Sequence, residues 1–177
     1  TFIYTAGTVG AKFAIGMATA LLVNRQLKGR DLFRALLFIP WSIPVVVAAY
    51  SWRWIYDDMN GVLNLILTRL HLTHDFIYWL ADPKIALYSV MAVVIWVGTP
   101  FYTMNFLAGM QAIPLELYEA AALDGAGPVA KFLYVTLPSL EDVIVVTLLL
   151  STIWTANQLQ YVFVLTQGGP IGTTQTF

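Results

Sequence analysis

Four stretches of the chain read as long apolar runs: Thr1–Val23, Leu32–Tyr56, Ile85–Met110 and Val143–Leu165. An α-helix needs about 20 mostly apolar residues to cross the hydrocarbon core of a bilayer, so the pattern predicts four membrane helices. The segments between them, Asn24–Asp31, Asp57–Lys84 and Gln111–Asp142, are polar enough to be loops. Pro40, Pro44 and Pro100 interrupt their helices. Such kinks survive where neighbours satisfy the freed carbonyls, which predicts a packed bundle. Gly7, Ala11, Gly16 and Ala20 along the first run would allow another helix to approach closely.

Composition agrees with a bilayer as solvent. Of 177 residues, 59% are hydrophobic and 11% charged, with a mean hydropathy of +0.73; soluble domains carry about 25% charged residues. A net charge of −1 gives no sign of a nucleic-acid partner, and the absence of cysteine excludes disulfide and thiolate chemistry. No stretch has the layout of a signal peptide. The chain starts at Thr1 inside an apolar run and stops at Phe177 in a polar loop, so both ends are expected to be internal to a longer chain.

Charge orients the spans. The first loop region holds Arg25, Lys28, Arg30 and Arg34, and the third holds Lys131; the second holds Arg69 and Lys84 beside four aspartates. Basic residues resist translocation, so residues 24–31 and 111–142 are expected in the cytoplasm, and 57–84 and 166–177 outside. Trp52, Trp54 and Tyr56 then fall at the outer end of the second span, where interfacial anchoring is expected.

The third loop is the most organised. It reads Gln111-Ala-Ile-Pro114-Leu-Glu116-Leu-Tyr-Glu119-Ala120-Ala121-Ala-Leu-Asp124-Gly125-Ala-Gly-Pro128 and continues to Leu137-Pro138. Pro114 suits a first helical turn, and Glu116 suits the positive end of that helix. Gly125 suits a left-handed stop. Pro128 can open a second helix, and Pro138 marks the entry to the next span. A short cytoplasmic helix–turn–helix is expected, built to dock something.

At these residues the chain resembles a family. Glu119-Ala120-Ala121, then Asp124-Gly125-Ala126 and Leu137-Pro138, is similar to the EAA loop of type I ABC importer permeases. Asn24–Arg30, Phe33-Arg34, Leu37–Trp41, Trp52–Tyr56, Gly61–Asn64, Val164–Thr166, Gly168-Gly169-Pro170 and Thr173-Thr174 extend the likeness, towards maltose, trehalose, lactose and glycerol-phosphate permeases. The resemblance implies an all-α polytopic membrane protein. Residues 1–177 would form a single permease domain holding the second to fifth helices of a six-helix core. It implies that loop 111–138 is a coupling helix seated on an ATPase. Glu119 would be the acidic contact, Ala120 and Ala121 the packing face, Asp124 part of the same motif, and Gly125 the turn.

The implied partners are two ATP-binding-cassette ATPase subunits, a second and different permease, and an extracytoplasmic binding protein reaching loops that include Gly168–Thr174. No cofactor is expected on this chain; ATP and magnesium would sit on the ATPase. The implied location is a prokaryotic inner membrane. Two positions depart from the family pattern: Glu141-Asp142 follow Leu140 where a basic residue and Pro are common, and Leu159-Gln160 precede Tyr161 where Phe-Asp is frequent.

Polar residues within the spans are candidates for a transport path. Trp154, Asn157, Gln158, Gln160 and Tyr161 in the last span, with Trp96, Thr99, Tyr102 and Asn105 in the third, offer the hydrogen bonds and ring faces a sugar would use. Amide bonds between helices and space-filling rings are the structural alternative. Lys12, near the middle of the first span, is expected to face the bundle in a structural pairing, or to snorkel. Arg53 is expected at the outer boundary, and His71, His74 and Asp75 in a solvated external loop.

The chain has no G-x-x-x-x-G-K-[ST] phosphate loop. Nor does it have a catalytic or metal-ligand constellation, so a transport subunit without its own enzymatic activity is expected. Alternatives are a permease for a non-sugar solute or an ion-coupled secondary transporter. The latter would be expected to carry acids in the membrane, whereas the ten acids here fall in loops or at span ends.

Overall fold

The computed structural model describes residues 1–25 and 29–175; Lys28 and the middle of the Asn24–Arg30 motif lie outside them. Helices α1 (Phe2–Asn24) and α5 (Ala86–Gln111) are long and apolar enough to cross a membrane unbroken. They form the most extensive helix pair in the fold. Gly16 of α1 lies directly against Tyr102 of α5, on the small-residue stripe read from the sequence.

The second apolar run is two helices, α2 (Arg30–Ser42) and α3 (Val45–Ile55), with a bend of 97° at their junction. Ile43 at the break is extended, at ψ 127°, and Pro44 caps α3. The pyrrolidine ring crowds the preceding residue out of the helical region and supplies no amide hydrogen, so the helix stops there. Pro40 and Pro100 behave differently: α2 and α5 continue through them.

Residues 57–84 contain a helix that the sequence reading left as loop, α4 (Val62–Arg69). Its anchor is Asn64, which is 1% exposed. Asn64 Nδ2 donates to the carbonyls of Asp58 and Ile77, each at 3.0 Å; its Oδ1 accepts from Trp79 Nε1 at 3.0 Å and from the Ile77 amide at 3.3 Å. One side chain thereby ties both halves of residues 57–84 together. Asn64→Leu would leave those groups buried and unpaired, each costing about 1–3 kcal/mol. The expected outcome is rapid proteolysis within 57–84 while the membrane-embedded part stays protected, read by limited digestion.

Beyond α5 the chain forms α6 (Leu115–Leu123) and α7 (Pro128–Lys131). A π-helical turn (Phe132–Thr136) and α8 (Leu137–Ser139) lead on to α9 (Glu141–Asn157) and α10 (Gln160–Thr166). Residues Pro128–Ser139 meet α9 at 67°. The predicted continuous span Val143–Leu165 is therefore divided, because the helix breaks at Gln158 and Leu159 before resuming.

Two apolar clusters hold the bundle. One joins Tyr4 of α1, Ala48 and Ala49 of α3, Val90, Met91, Val93 and Val94 of α5, and Tyr161, Val162 and Leu165 of α10. The other joins Met17, Ala20 and Val23 of α1 to Tyr102, Phe106 and Met110 of α5 and to Leu140. Tyr56 belongs to the first cluster, 4% exposed, with its hydroxyl donating to the Ser89 carbonyl at 3.1 Å. Trp52 packs between Tyr56 and Trp96, at ring separations of 5.3 and 5.4 Å. The expected interfacial trio is thus corrected: Trp54 is exposed, but Tyr56 and Trp52 serve the helix packing. In chain order, Lys12, Gly98 and Thr155 fall between the two clusters on their respective segments, and the layer there is polar, with Thr99, Ser151 and Thr155 all buried.

Candidate functional site

Two features stand out, one in the loop after α5 and one between the apolar clusters. Helix α6 begins after Pro114, whose carbonyl accepts from the Leu117 amide at 3.3 Å, and Glu116 lies in its first turn, where the helix dipole favours an acid. It ends in a Schellman motif: the Ala126 amide donates to Ala121 O at 2.8 Å, and the Gly125 amide donates to Ala122 O at 3.1 Å. Gly125 sits at φ +81°, a conformation that glycine adopts without steric penalty. Gly127 then leads into Pro128 at the first turn of α7.

Helix α6 has no buried residue. Leu115, Leu117 and Leu123 are exposed, Leu123 at 90%, as are Glu119, Ala120 and Asp124. A helix this apolar is stable in water only when something covers it. Its fixed contact with the rest of the chain is the Tyr118 hydroxyl, 2.9 Å from Thr136 Oγ1 in the π-helical turn. Residues 114–127 thus form a capped element with no buried residue at one end of α5.

The second feature is a cavity of ≈ 280 Å³ in the polar layer. Trp41, Phe101 and Trp154 form an aromatic wall, with successive ring centroids 5.6 and 5.2 Å apart. Ser151, Thr155 and Gln158 add hydroxyl and amide groups, and Tyr161 closes one side with a buried hydroxyl that has no hydrogen-bond partner. Lys12 enters from α1 and donates from Nζ to Thr155 Oγ1 at 3.1 Å. Its partner is a neutral hydroxyl, not an acid.

Of the side chains singled out from the sequence, Trp154, Gln158 and Tyr161 come together here. Asn157 instead donates to the Ile153 carbonyl of its own helix at 2.8 Å, and Gln160 is exposed away from the lining. Asn105 donates to the Phe101 carbonyl at 2.7 Å. Trp96 lies against a separate apolar groove of ≈ 550 Å³ between α1, α2 and α5. Ser151 and Thr155, with Thr147, were missed; their spacing of four puts all three on one helix face, a signal the sequence did contain.

A third, open depression of ≈ 330 Å³ joins Arg53, Asp57 and Asp58 to Gly169 and Pro170. Arg53 Nη1 donates to the Val164 carbonyl at 3.3 Å. Partial burial and the adjacent Asp57 charge raise the Asp58 carboxyl above its ordinary value.

Comparisons with known proteins bear on the family and the fold. Residues 12–176 match the family model described as binding-protein-dependent transport system inner membrane component. The trehalose/maltose transport system permease protein MalF of Thermococcus litoralis is 40% identical over 167 residues, covering 94% of this chain and 56% of the relative. The sulfoquinovosyl glycerol transport system permease protein SmoG of Agrobacterium fabrum is 36% identical, covering 99% of this chain and 56% of the relative. A chain in the crystal structure of a bacterial ABC transporter involved in the import of the acidic polysaccharide alginate superposes with a TM-score of 0.82 at 24% identity. That match covers 97% of this chain and 61% of the other, and it speaks for the fold. The chain therefore spans little more than half the length of these relatives. With a match along nearly all of its length, the chain belongs to the family of binding-protein-dependent transport system inner membrane components, a polytopic helical membrane fold.

Proposed function

We propose that this chain forms half of the translocation path of an ATP-binding-cassette importer, for a di- or oligosaccharide delivered by an extracytoplasmic binding protein. The observation that carries the reading is α6, an apolar helix with no buried residue, rigidly capped and joined to the bundle. Such an element needs a partner to cover it, and an ATPase subunit on the cytoplasmic side is the partner the family context supplies. Glu119, Ala120 and Ala121 would meet that subunit, with Asp124 and Gly125 holding the turn. ATP and magnesium would be bound by the ATPase, and this chain would hydrolyse nothing.

The cavity supports a sugar as cargo. Aromatic faces stack on the apolar faces of a pyranose ring, and hydroxyls and an amide pair with its hydroxyl groups; Trp41, Phe101 and Trp154 with Ser151 and Gln158 supply both. The names of the trehalose/maltose and sulfoquinovosyl glycerol relatives point to the same class of cargo. In alternating access, closure of two ATPase subunits would pull on the α6 element and rotate this chain against a second, different permease. The outer depression beside Gly169 and Pro170 would receive the binding protein.

Uptake by the full-length complex in proteoliposomes tests the reading. Accumulation of a labelled disaccharide that requires both internal ATP and the binding protein is expected. Accumulation driven by an ion gradient without ATP would contradict it.

A further inference from the structure

We propose that the central cavity selects an acidic saccharide, with Lys12 binding an oxyanion (carboxylate, sulfonate or phosphate) carried on the sugar. This rests on the sugar-import reading above and specifies its substrate. Lys12 is 4% exposed and lies between the apolar clusters, halfway along α1. Among the described residues it is the only ionisable one other than Tyr161 in the cavity lining, and none of the acids among them lines it. Its hydrogen bond to Thr155 Oγ1 uses one of the three ammonium donors. A lone cation at membrane depth is expensive to insert, so an uncompensated one marks a function.

The surroundings keep the charge in place. A Cβ at position 98 would lie 2.5 Å from Lys12 Cε, so α5 has a glycine where the lysine crosses it. A purely structural lysine would be expected to meet a carboxylate or to snorkel towards an end of the span; this one does neither. A second, independent observation is Tyr161, 0% exposed, lining the same cavity with its hydroxyl unpartnered. An ammonium with donors to spare and an unpartnered phenol lining one cavity are together a donor set for an oxyanion. Trp154 and Phe101 beside them supply a face for the ring that carries it.

Equilibrium dialysis on the full-length complex in nanodiscs, without the binding protein, tests this. The probes are a labelled uronic-acid disaccharide, its neutral parent disaccharide, and inorganic phosphate as competitor. The wild type is expected to bind the acidic disaccharide at least tenfold more tightly than the neutral one, a difference of about 1.4 kcal/mol. Lys12→Met is expected to abolish that preference by weakening binding of the acidic disaccharide, and Lys12→Arg to retain it; Lys12→Gln replaces Lys12→Met if that variant does not assemble. Equal wild-type affinities would overturn the acidic assignment and leave the sugar reading intact. Binding of neither sugar would overturn both. Preference persisting without the Lys12 charge would overturn the role of this residue, and displacement by an equal concentration of phosphate would reduce the cavity to a simple anion site.

Discussion

Replacing Gly125 by proline is expected to abolish substrate-stimulated ATP hydrolysis in the assembled transporter while leaving the chain inserted. The φ of +81° at this residue is closed to proline, whose ring fixes φ near −65°. The substitution also removes the amide that donates to Ala122, one of the two bonds of the helix stop. The last turn of α6 would open and its direction relative to α7 would be lost. None of these residues belongs to the apolar clusters, so the bundle itself should persist. Gly125→Asn, which tolerates the left-handed region, is expected to keep most of the stimulation. Glu119→Ala leaves the backbone intact and is expected to lower stimulation about tenfold, the equivalent of about 1.4 kcal/mol in the coupled step. Stimulated and basal ATPase rates, measured beside membrane insertion, check all three.

Trp154→Ala is expected to reduce binding-protein-dependent sugar uptake at least tenfold with little loss of stability. The ring packs on Phe101 at 5.2 Å yet remains 52% exposed, so half of it already faces open space. Removing a fully buried Trp costs about 3–5 kcal/mol in a soluble core; a half-exposed ring forfeits much less. What Trp154→Ala loses is the face offered to the cavity. Trp52→Ala makes the contrast, because Trp52 is wedged between Tyr56 and Trp96 within the helix packing. That variant should lower the temperature of thermal inactivation. Uptake and inactivation curves on the two variants would separate the roles, and equal loss of stability in both would count against a cargo-facing Trp154.

Much of this was legible along the chain because the deciding physics is local. The runs at α1 and α5 are apolar over a bilayer's length and carry no early break. The end of α6 could be placed at Gly125 because a left-handed residue after an alanine-rich turn favours glycine. The sequence reads Pro40 and Pro44 both as kinks within one span Leu32–Tyr56; the chain instead turns by 97° at Pro44, where α3 packs on α10 and, through Trp52 and Tyr56, on α5.

Other features depended on contacts distant in sequence. Helix α4 is held by Asn64 reaching Ile77 and Trp79, which no local pattern announces. The break at Gln158 decides which of two adjacent amides meets the cavity. Asn157 is the last residue of α9 and bonds back to its own helix, whereas Gln158 leaves the helix at ψ 78° and lines the cavity. Helix α5 is apolar around most of its circumference, so the sequence could not say that Trp96 and Asn105 lie off the central cavity while Phe101 lines it. Lys12 was visible as an expensive residue, but its neutral partner Thr155 lies 143 positions away.

The central claim is that α6 docks an ATPase on the cytoplasmic side, and a single introduced thiol tests it most directly. The chain contains no cysteine, so Glu119→Cys gives one defined site within it. In sealed right-side-out vesicles of the full complex, that thiol is expected to be protected from a membrane-impermeant maleimide. After addition of a short bifunctional cross-linker that enters the vesicle, it is expected to join the chain to the ATPase subunit. Labelling from outside, or efficient cross-linking to the binding protein instead, would contradict the account.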